Sequence, residues 1–350
     1  MARTRRSIAG GFIKRFESER PTHELAAQQA IELIKEILIN RTALVHLIAA
    51  RCKNTASLWL KLCDKRYGQP ARQLTDIIAA RVITYYSDDV QVIVKALSDA
   101  LEIDPHRSAD KREELESVEF GYTSVHLIAR TKASWSTSPK YFALRNKWFE
   151  IQVRSILEHA WAEIEHEVVY KSGVDYPPLV KRRFARIAGA IEMLEDEFVA
   201  LRNHQEQLVH HWRERYEAGQ DEGVDIDSVK LKAMLECERP GSLGWREAAR
   251  QGMPFPPHIA RRCVKALERT GIRTGQALRT ALRAKSLKAA ELLFAEEHRI
   301  SEPISHLNTA RLVVLLRSPA IFGDYFPEMI SDPGIRHVLS QRAGGRKRKF

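Results

Sequence analysis

The sequence predicts an α+β fold: a mixed sheet flanked by helices, followed by an all-α C-terminal region. Three observations predict it. Between residues 76 and 154, three stretches read as strands, separated by helical and loop-like segments. From residue 184 to 212, seam positions, apolar except for Gln205, step by three and four without a miss. Beyond residue 228 no strand-like alternation survives, only short helical patterns broken by Gly and Pro.

In chain order, residues 1–22 read as a disordered basic N-terminus that starts with Arg3, Arg5 and Arg6. Leu25, Ala26, Ile31, Ile34, Ile37 and Leu38 then recur at helical spacing, and a second helical stretch is expected over Ala43–Ala50. Ser57 opens an apolar run of Leu58, Leu60 and Leu62 and is placed to cap it. Asp76–Tyr86 is apolar on both parities, the pattern of a central strand with helices on both faces. Asp76 stands at its entrance, where a carboxylate at the edge of a core needs a partner. A helix is expected from Ser87 to Leu101, a polar segment over 104–121, an alternating strand over Ser124–Arg130, and a loop or hairpin tip over 131–146.

The rest is organised around Trp148–Tyr170. Phe149, Ile151 and Val153 alternate with Glu150, Gln152 and Arg154, so one strand face is apolar and the other carries a carboxylate, an amide and a guanidinium. The period then changes, and Leu157, Trp161, Ile164 and Val168 form a helical stripe. Pro177-Pro178 marks a boundary. Phe184, Ile187, Ile191, Leu194, Phe198, Leu201, Gln205, Leu208 and Trp212 make a heptad seam, expected to dock on the sheet domain; the alternative is a homo-oligomer through the 184–212 helix. The expected organisation is a basic N-terminus (1–22), a sheet domain (23–176), a long heptad-patterned helix (177–218), an all-helical region (228–340) with no assignable chemistry, and a basic tail (341–350).

The chain of 350 residues is 44% hydrophobic and 29% charged, an ordinary balance for a globular protein of about two domains. A net charge of +11 favours anionic partners such as nucleotides or RNA. No apolar run is long enough to span a bilayer and no apolar segment follows the basic start, so neither a membrane partner nor a secretory signal is expected. Cys52, Cys63, Cys237 and Cys263 form no Cys-x-x-Cys pair, and reduced thiols in a cytoplasmic setting are expected.

Several chemistries are excluded by motif. There is no Gly-x-x-x-x-Gly-Lys-Ser/Thr loop, no His-Asp dipeptide, and the string that begins at His166-Glu167 has Tyr170 where a zincin needs a second His. His159 and Glu163 at i, i+4 fit a helix-surface pair better than a metal site. What remains is a set of separated polar features. Arg51, Lys53 and Lys61 supply positive charge around a helix start, a place suited to phosphates. Asp76 and Glu150 are carboxylates at strand positions, the oxygen ligands Mg²⁺ takes together with nucleotide phosphates. Tyr122 follows a Gly, so its ring is available to a base.

Four blocks then carry a resemblance: Arg51-x-Lys53-x-x-x-Ser57-x-x-x-Lys61; Asp76-Ile-Ile-Ala-Ala-Arg81-Val; Gly121-Tyr122-Thr-Ser124-Val-His126; and Glu150-Ile-Gln152-Val-Arg154 with the Ala160–His166 helix. Residues 51–171 resemble the synthetase domain of the RelA/SpoT family, the pyrophosphokinases that make (p)ppGpp. The family's hydrolase and regulatory domains are not visible, so the chain is similar to a small, single-activity alarmone synthetase. The resemblance implies a nucleotidyltransferase-like sheet domain, ATP and GDP or GTP as substrates, and Mg²⁺ as cofactor. It implies that Arg51, Lys53, Ser57 and Lys61 bind ATP, with Arg51 and Arg81 sandwiching adenine. It further implies that Asp76 and Glu150 hold the metal, that Glu150 takes the proton of the acceptor ribose 3′-hydroxyl, that Tyr122 stacks on guanine, and that His126, Gln152 and Arg154 line the acceptor side.

Asp76 and Arg81 have opposite strand parity, so a bend or a strand end is required if both serve one site. Two departures bear on the acceptor. Phe120 stands where the family often has Asn, and the loop before it carries Glu113, Glu114, Glu116 and Glu119, which repel a phosphate chain. Toxin-like pyrophosphorylation of the tRNA 3′ end, or synthesis of adenine alarmones, is therefore the first alternative. A non-catalytic nucleotide- or RNA-binding module is the second.

Overall fold

The computed structural model describes residues 2–39, 41, 43–65, 67, 69–110, 124–170, 177–220, 223–238, 258–298 and 306–346. Two compact units divide the chain at Leu201.

The first unit is built on a mixed sheet. Helix α1 (Ala2–Leu38) leads into strand β1 (Val45–Cys52), and helix α2 (Thr55–Lys65) and the short helix α3 (Pro70–Gln73) precede strand β2 (Ile78–Thr84). Helix α4 (Asp89–Ala100) and strands β3 (Leu101–Ile103), β4 (Ala109–Asp110) and β5 (Val125–Thr131) follow. After a short helix (Ala133–Ser136) and a 3₁₀ turn (Pro139–Leu144) come strand β6 (Phe149–Ser155) and helix α6 (Ile156–Glu165), the short helix counting as α5. The sheet order is β1-β2-β6-β5-β3, with β4 also paired to β5. Among the described residues only β2 and β6 run parallel; the other pairs are antiparallel.

The alternation of period two decides the two faces. Ile78, Ala80 and Val82 of β2, Ile151 and Val153 of β6, and Val125, Leu127 and Ala129 of β5 share a core with Ala26, Ala30, Leu33 and Ile34 of α1 and Val90, Ile93 and Leu97 of α4. The opposite parity of β2 is half-buried at Ala79 and Arg81 but fully buried at Ile83, so the second face, which the sequence suggested is covered throughout, is covered only toward the end of the strand. Segment 43–50 is not helical. Its Ala-rich composition favours a helix, but as β1 it completes the antiparallel pairing of Ala49 with Arg81 and Arg51 with Ala79, and tertiary pairing overrides propensity.

The N-terminus also departs from expectation. Residues 2–22 belong to α1, because Ala9, Phe12, Ile13 and Phe16 recur at helical spacing and pack on Leu58, Leu62 and Leu74. Ser57 does not cap α2; Asn54 does, its Oδ1 accepting from Ser57 N at 2.7 Å. Helix α6 starts at a capping box in which Ser155 Oγ accepts from Glu158 N and Glu158 accepts from Ser155 N. Its stripe is only half realised: Trp161 is buried, but Ile164 and Val168 are exposed.

Helix α7 (Pro178–Glu217) contains the heptad seam. In the first unit it buries Ala188 and Glu195, and the Ser155 hydroxyl donates to Glu195. Ile187, Leu194, Phe198 and Leu201 are exposed, so the seam is not the docking face.

The second unit is all-helical among its described residues, apart from one isolated bridge between Asp225 and Thr274. Its core gathers Tyr216, Leu231, Leu235, Leu267, Leu278, Phe294, Leu312 and Phe322. The Tyr216 hydroxyl donates to Glu238 at 3.0 Å, and the Arg279 guanidinium lies 3.9 Å from the Tyr216 ring centroid.

Candidate active site

The open face of the sheet holds a cleft of about 270 Å³ lined by Arg51, Lys53, Asp76, Arg81, Glu150 and Gln152, with Ala49, Ala50 and Ala79 between them. Strand register explains the assembly. Arg51 pairs with Ala79, which pairs with Glu150; Ala49 pairs with Arg81, which pairs with Gln152, which pairs with His126. Two strand spacings, about 10 Å, thus separate the backbone of Arg51 from that of Glu150. The alanines between them leave that interval unfilled.

Asp76 lies outside β2, which begins at Ile78, and Lys53 N donates to Ile77 O at 2.8 Å. This strand end resolves the parity conflict: Asp76 enters the cleft from the turn, Arg81 from the strand. Lys53 Nζ and Lys61 Nζ both donate to Asp76 Oδ2, at 2.7 and 2.6 Å. The side chain is 14% exposed, and Oδ1 is buried with no hydrogen-bond partner among the described residues. Burial alone would raise the Asp76 carboxyl; the hydrogen bonds and charges of the two lysines outweigh it and hold it below the usual range.

Glu150 is comparably buried, at 15%. Its Oε1 lies 2.6 Å from His126 Nδ1, and His126 Nε2 lies 2.7 Å from Ser124 Oγ. With a carboxylate as partner, Nδ1 is the donor. Burial would raise the Glu150 carboxyl, but the His126 hydrogen bond and charge lead a set of contacts that bring it below the usual range; the nearby charge of Asp76 opposes them. That opposition is the signature of two carboxylates sharing one cleft.

Arg81 Nη1 donates to Glu163 Oε1 at 2.7 Å. The same oxygen lies 4.0 Å from Arg154 Nη2 and 3.8 Å from His159 Nδ1. Arg154 is 5% exposed and lies outside the residues that line the cleft. It donates to Gln152 Oε1 at 3.2 Å, and burial followed by the Arg81 charge pushes its pKa down. Burial, then Arg154, also holds His159 below the usual histidine range. Glu163 is thus the shared counter-ion of Arg81 and Arg154, a role its i, i+4 spacing from His159 did not reveal.

Of the residues singled out from sequence, the structure brings Arg51, Lys53, Asp76, Arg81, Glu150 and Gln152 to one cleft, with Lys61 bonded to Asp76 and His126 to Glu150. Ser57 is on the exposed first turn of α2 and is not among the lining residues. Tyr122 and the acidic run 113–119 lie outside the described residues. Among the described residues no three His, Cys, Asp or Glu side chains cluster as metal ligands. An acid pair nevertheless fits Mg²⁺, which keeps several waters and is bound through one or two carboxylates plus substrate phosphates. The unpartnered Asp76 Oδ1 is the donor atom such a site leaves free. No helix among the described residues is long and apolar enough to cross a membrane.

Fold and cleft together define an α+β domain with one sheet face given to stability and the other to an acid pair with a basic rim. Residues 50–175 match the model of the region found in RelA / SpoT proteins. The GTP pyrophosphokinase YjbM of Bacillus subtilis (strain 168) is 27% identical over 162 residues, covering 45% of this chain and 72% of that protein. The GTP pyrophosphokinase YwaC of the same organism is 23% identical over 158 residues, covering 44% and 71%. Among solved structures, small alarmone synthetase 2 from Bacillus subtilis aligns at 22% identity with a TM-score of 0.45, covering 54% of this chain and 98% of that one. Small alarmone synthetase 1 from the same organism, bound to its product pppGpp, aligns at 23% identity and TM-score 0.45, covering 55% and 98%.

Proposed function

We propose that this protein is a Mg²⁺-dependent pyrophosphokinase that transfers the β,γ-diphosphate of ATP to the 3′-hydroxyl of GDP or GTP. The observation that supports this reading is the meeting of Asp76 and Glu150 in one cleft rimmed by Arg51, Lys53 and Arg81. The names of the two curated relatives point the same way.

The transfer forms a bond between the acceptor 3′-oxygen and the β-phosphorus of ATP, breaks the bond from that phosphorus to the α–β bridging oxygen, and releases AMP. Little covalent help is needed, so positioning and charge stabilisation lower most of the barrier. Lys53 and Lys61 hold the donor phosphates, Arg51 and Arg81 the adenine, and Gln152 the acceptor. Glu150, ionised and fixed by His126, takes the proton of the 3′-hydroxyl as the new bond forms. Asp76 and Glu150 would hold the metal, which when bound neutralises charge on the transferred diphosphate. For the lysines to reach phosphates, their bonds to Asp76 must open or be shared.

The test is incubation with γ-labelled ATP and, in separate arms, GDP, GTP, unlabelled ATP and tRNA. The expected product is a guanosine carrying labelled diphosphate on its 3′-oxygen. Label on tRNA or on adenosine with guanine nucleotides untouched would move the assignment to the acceptor alternative motivated by the acidic run at 113–119. No transfer in any arm, with nucleotide binding intact, would leave a non-catalytic binding module.

A further inference from the structure

A second cavity in the first unit, about 380 Å³, lies between α1 and the turns that precede β2 and β6. It is larger than the cleft and shares no lining residue with it. Its walls are of two kinds. Phe12, Phe16 and Trp148 give aromatic surface; Arg15, Arg107 and Lys147 give three cations, of which Arg15 pairs with Glu19 at 2.9 Å and Arg107 with Asp104 at 2.6 Å. Trp148 is already held by cations, with the Arg107 and Arg130 guanidinium carbons 4.8 and 4.7 Å from its ring centroid.

One wall residue marks this as more than a packing gap. His23 is 7% exposed and lines the cavity, and its Nδ1 is buried with no hydrogen-bond partner among the described residues. Its Nε2 faces Glu19 at 3.6 Å and its ring stacks on Phe16 with centroids 5.6 Å apart. A buried polar nitrogen without a partner is costly unless something comes to satisfy it. Burial, then the facing Lys147, holds this imidazole below the usual histidine range, so it meets a ligand as a neutral ring.

We propose that this cavity binds a nucleoside phosphate, with the base against Phe12, Phe16 and Trp148, the phosphates on Arg15, Arg107 and Lys147, and a polar group of the ligand on His23 Nδ1. Aromatic and cationic walls together are the chemistry that recognises a planar anionic molecule. The site is coupled to the cleft by the chain itself. Leu74, Ile77 and Ile78 line the cavity, and Asp76, between them, lines the cleft. Ile77 O also receives the Lys53 backbone N–H, so the bound molecule touches the segment that mounts both Asp76 and its lysine. Its binding does not depend on which acceptor the cleft uses.

The experiment measures equilibrium dialysis of labelled GTP and ATP, with unlabelled inorganic triphosphate as competitor. The background is the full chain carrying Arg51→Ala and Arg81→Ala, which removes the cleft's adenine contacts. The expected result is about one equivalent of nucleotide still bound, displaced only in part by triphosphate, and weakened at least tenfold by adding Lys147→Glu. Arg15→Glu, on the exposed side of α1, repeats the test should Lys147→Glu lower the melting temperature. No residual binding in the cleft-deficient background would overturn the proposal, and so would residual binding unmoved by either charge reversal. If Arg51→Ala and Arg81→Ala leave total binding unchanged, the cleft assignment fails and the cavity assignment stands.

Discussion

The two faces of the sheet are made by the same strands and do different work. On one, Ile78, Ala80, Val82, Ile151 and Val153 are buried under α1 and α4. On the other, one residue out of step, Arg51, Arg81, Glu150, Gln152 and His126 stand on neighbouring strands around alanines. The period of two therefore separates stability from chemistry at single-residue resolution, and substitutions on adjacent residues should have unlike effects.

The widest separation is expected at Glu150 and Ile151. Glu150→Gln keeps the shape and an acceptor for His126 but removes the charge, and transfer should fall about 10²- to 10⁴-fold, as for loss of a general base. Its unfolding free energy should move by less than about 1 kcal/mol. Ile151→Ala empties core volume and should cost about 2–5 kcal/mol of stability, while the fraction that remains folded keeps its KM. Urea unfolding together with steady-state kinetics reads both, and parallel changes in the two variants would erase the distinction between the faces.

Acid titration sharpens the comparison. Asp76 and Glu150 are both held below their ordinary values in the folded chain. Their contribution to stability is therefore fully present above the ordinary carboxylate range of about 4, and is lost as pH falls through the lower folded values. Below about pH 4 the wild type should lose stability more steeply than the Asp76→Asn/Glu150→Gln double variant, whereas between about pH 5 and 8 the two profiles should run parallel. The smallest effect belongs to Glu163, which is half exposed. Exposed ion pairs contribute about 0–1 kcal/mol, so Glu163→Gln should raise the KM for ATP by about fivefold or less. A larger change would mean that the Arg81 rotamer depends on this one carboxylate.

The sequence made the chemistry-bearing strand legible because Glu150, Gln152 and Arg154 alternate cleanly with apolar neighbours. It did not show that Arg154 turns under α6 rather than into the cleft, since alternation fixes a face and not a depth. Strand β1 was obscured by Ala43, Ala49 and Ala50, whose helical preference yields to pairing with β2. The first turns of α1 were obscured by crowded arginines and two glycines around Phe12 and Phe16, whose partners on α2 are distant in sequence. In α7 the heptad seam was read correctly as a stripe but assigned the wrong role. The helix docks through Ala188 and through Glu195, which a search for apolar docking residues passes over. The pairing of His126 with Glu150 has only a weak sequence signal, because it depends on the register of β5 against β6.

The most direct measurement is anomalous diffraction from crystals soaked with Mn²⁺ and a non-hydrolysable ATP analogue. A single Mn²⁺ within about 2–2.3 Å of one carboxylate oxygen of Asp76 and one of Glu150, and also of a phosphate oxygen, is the predicted result. An ion held by only one of the two, or located away from both, would contradict the account.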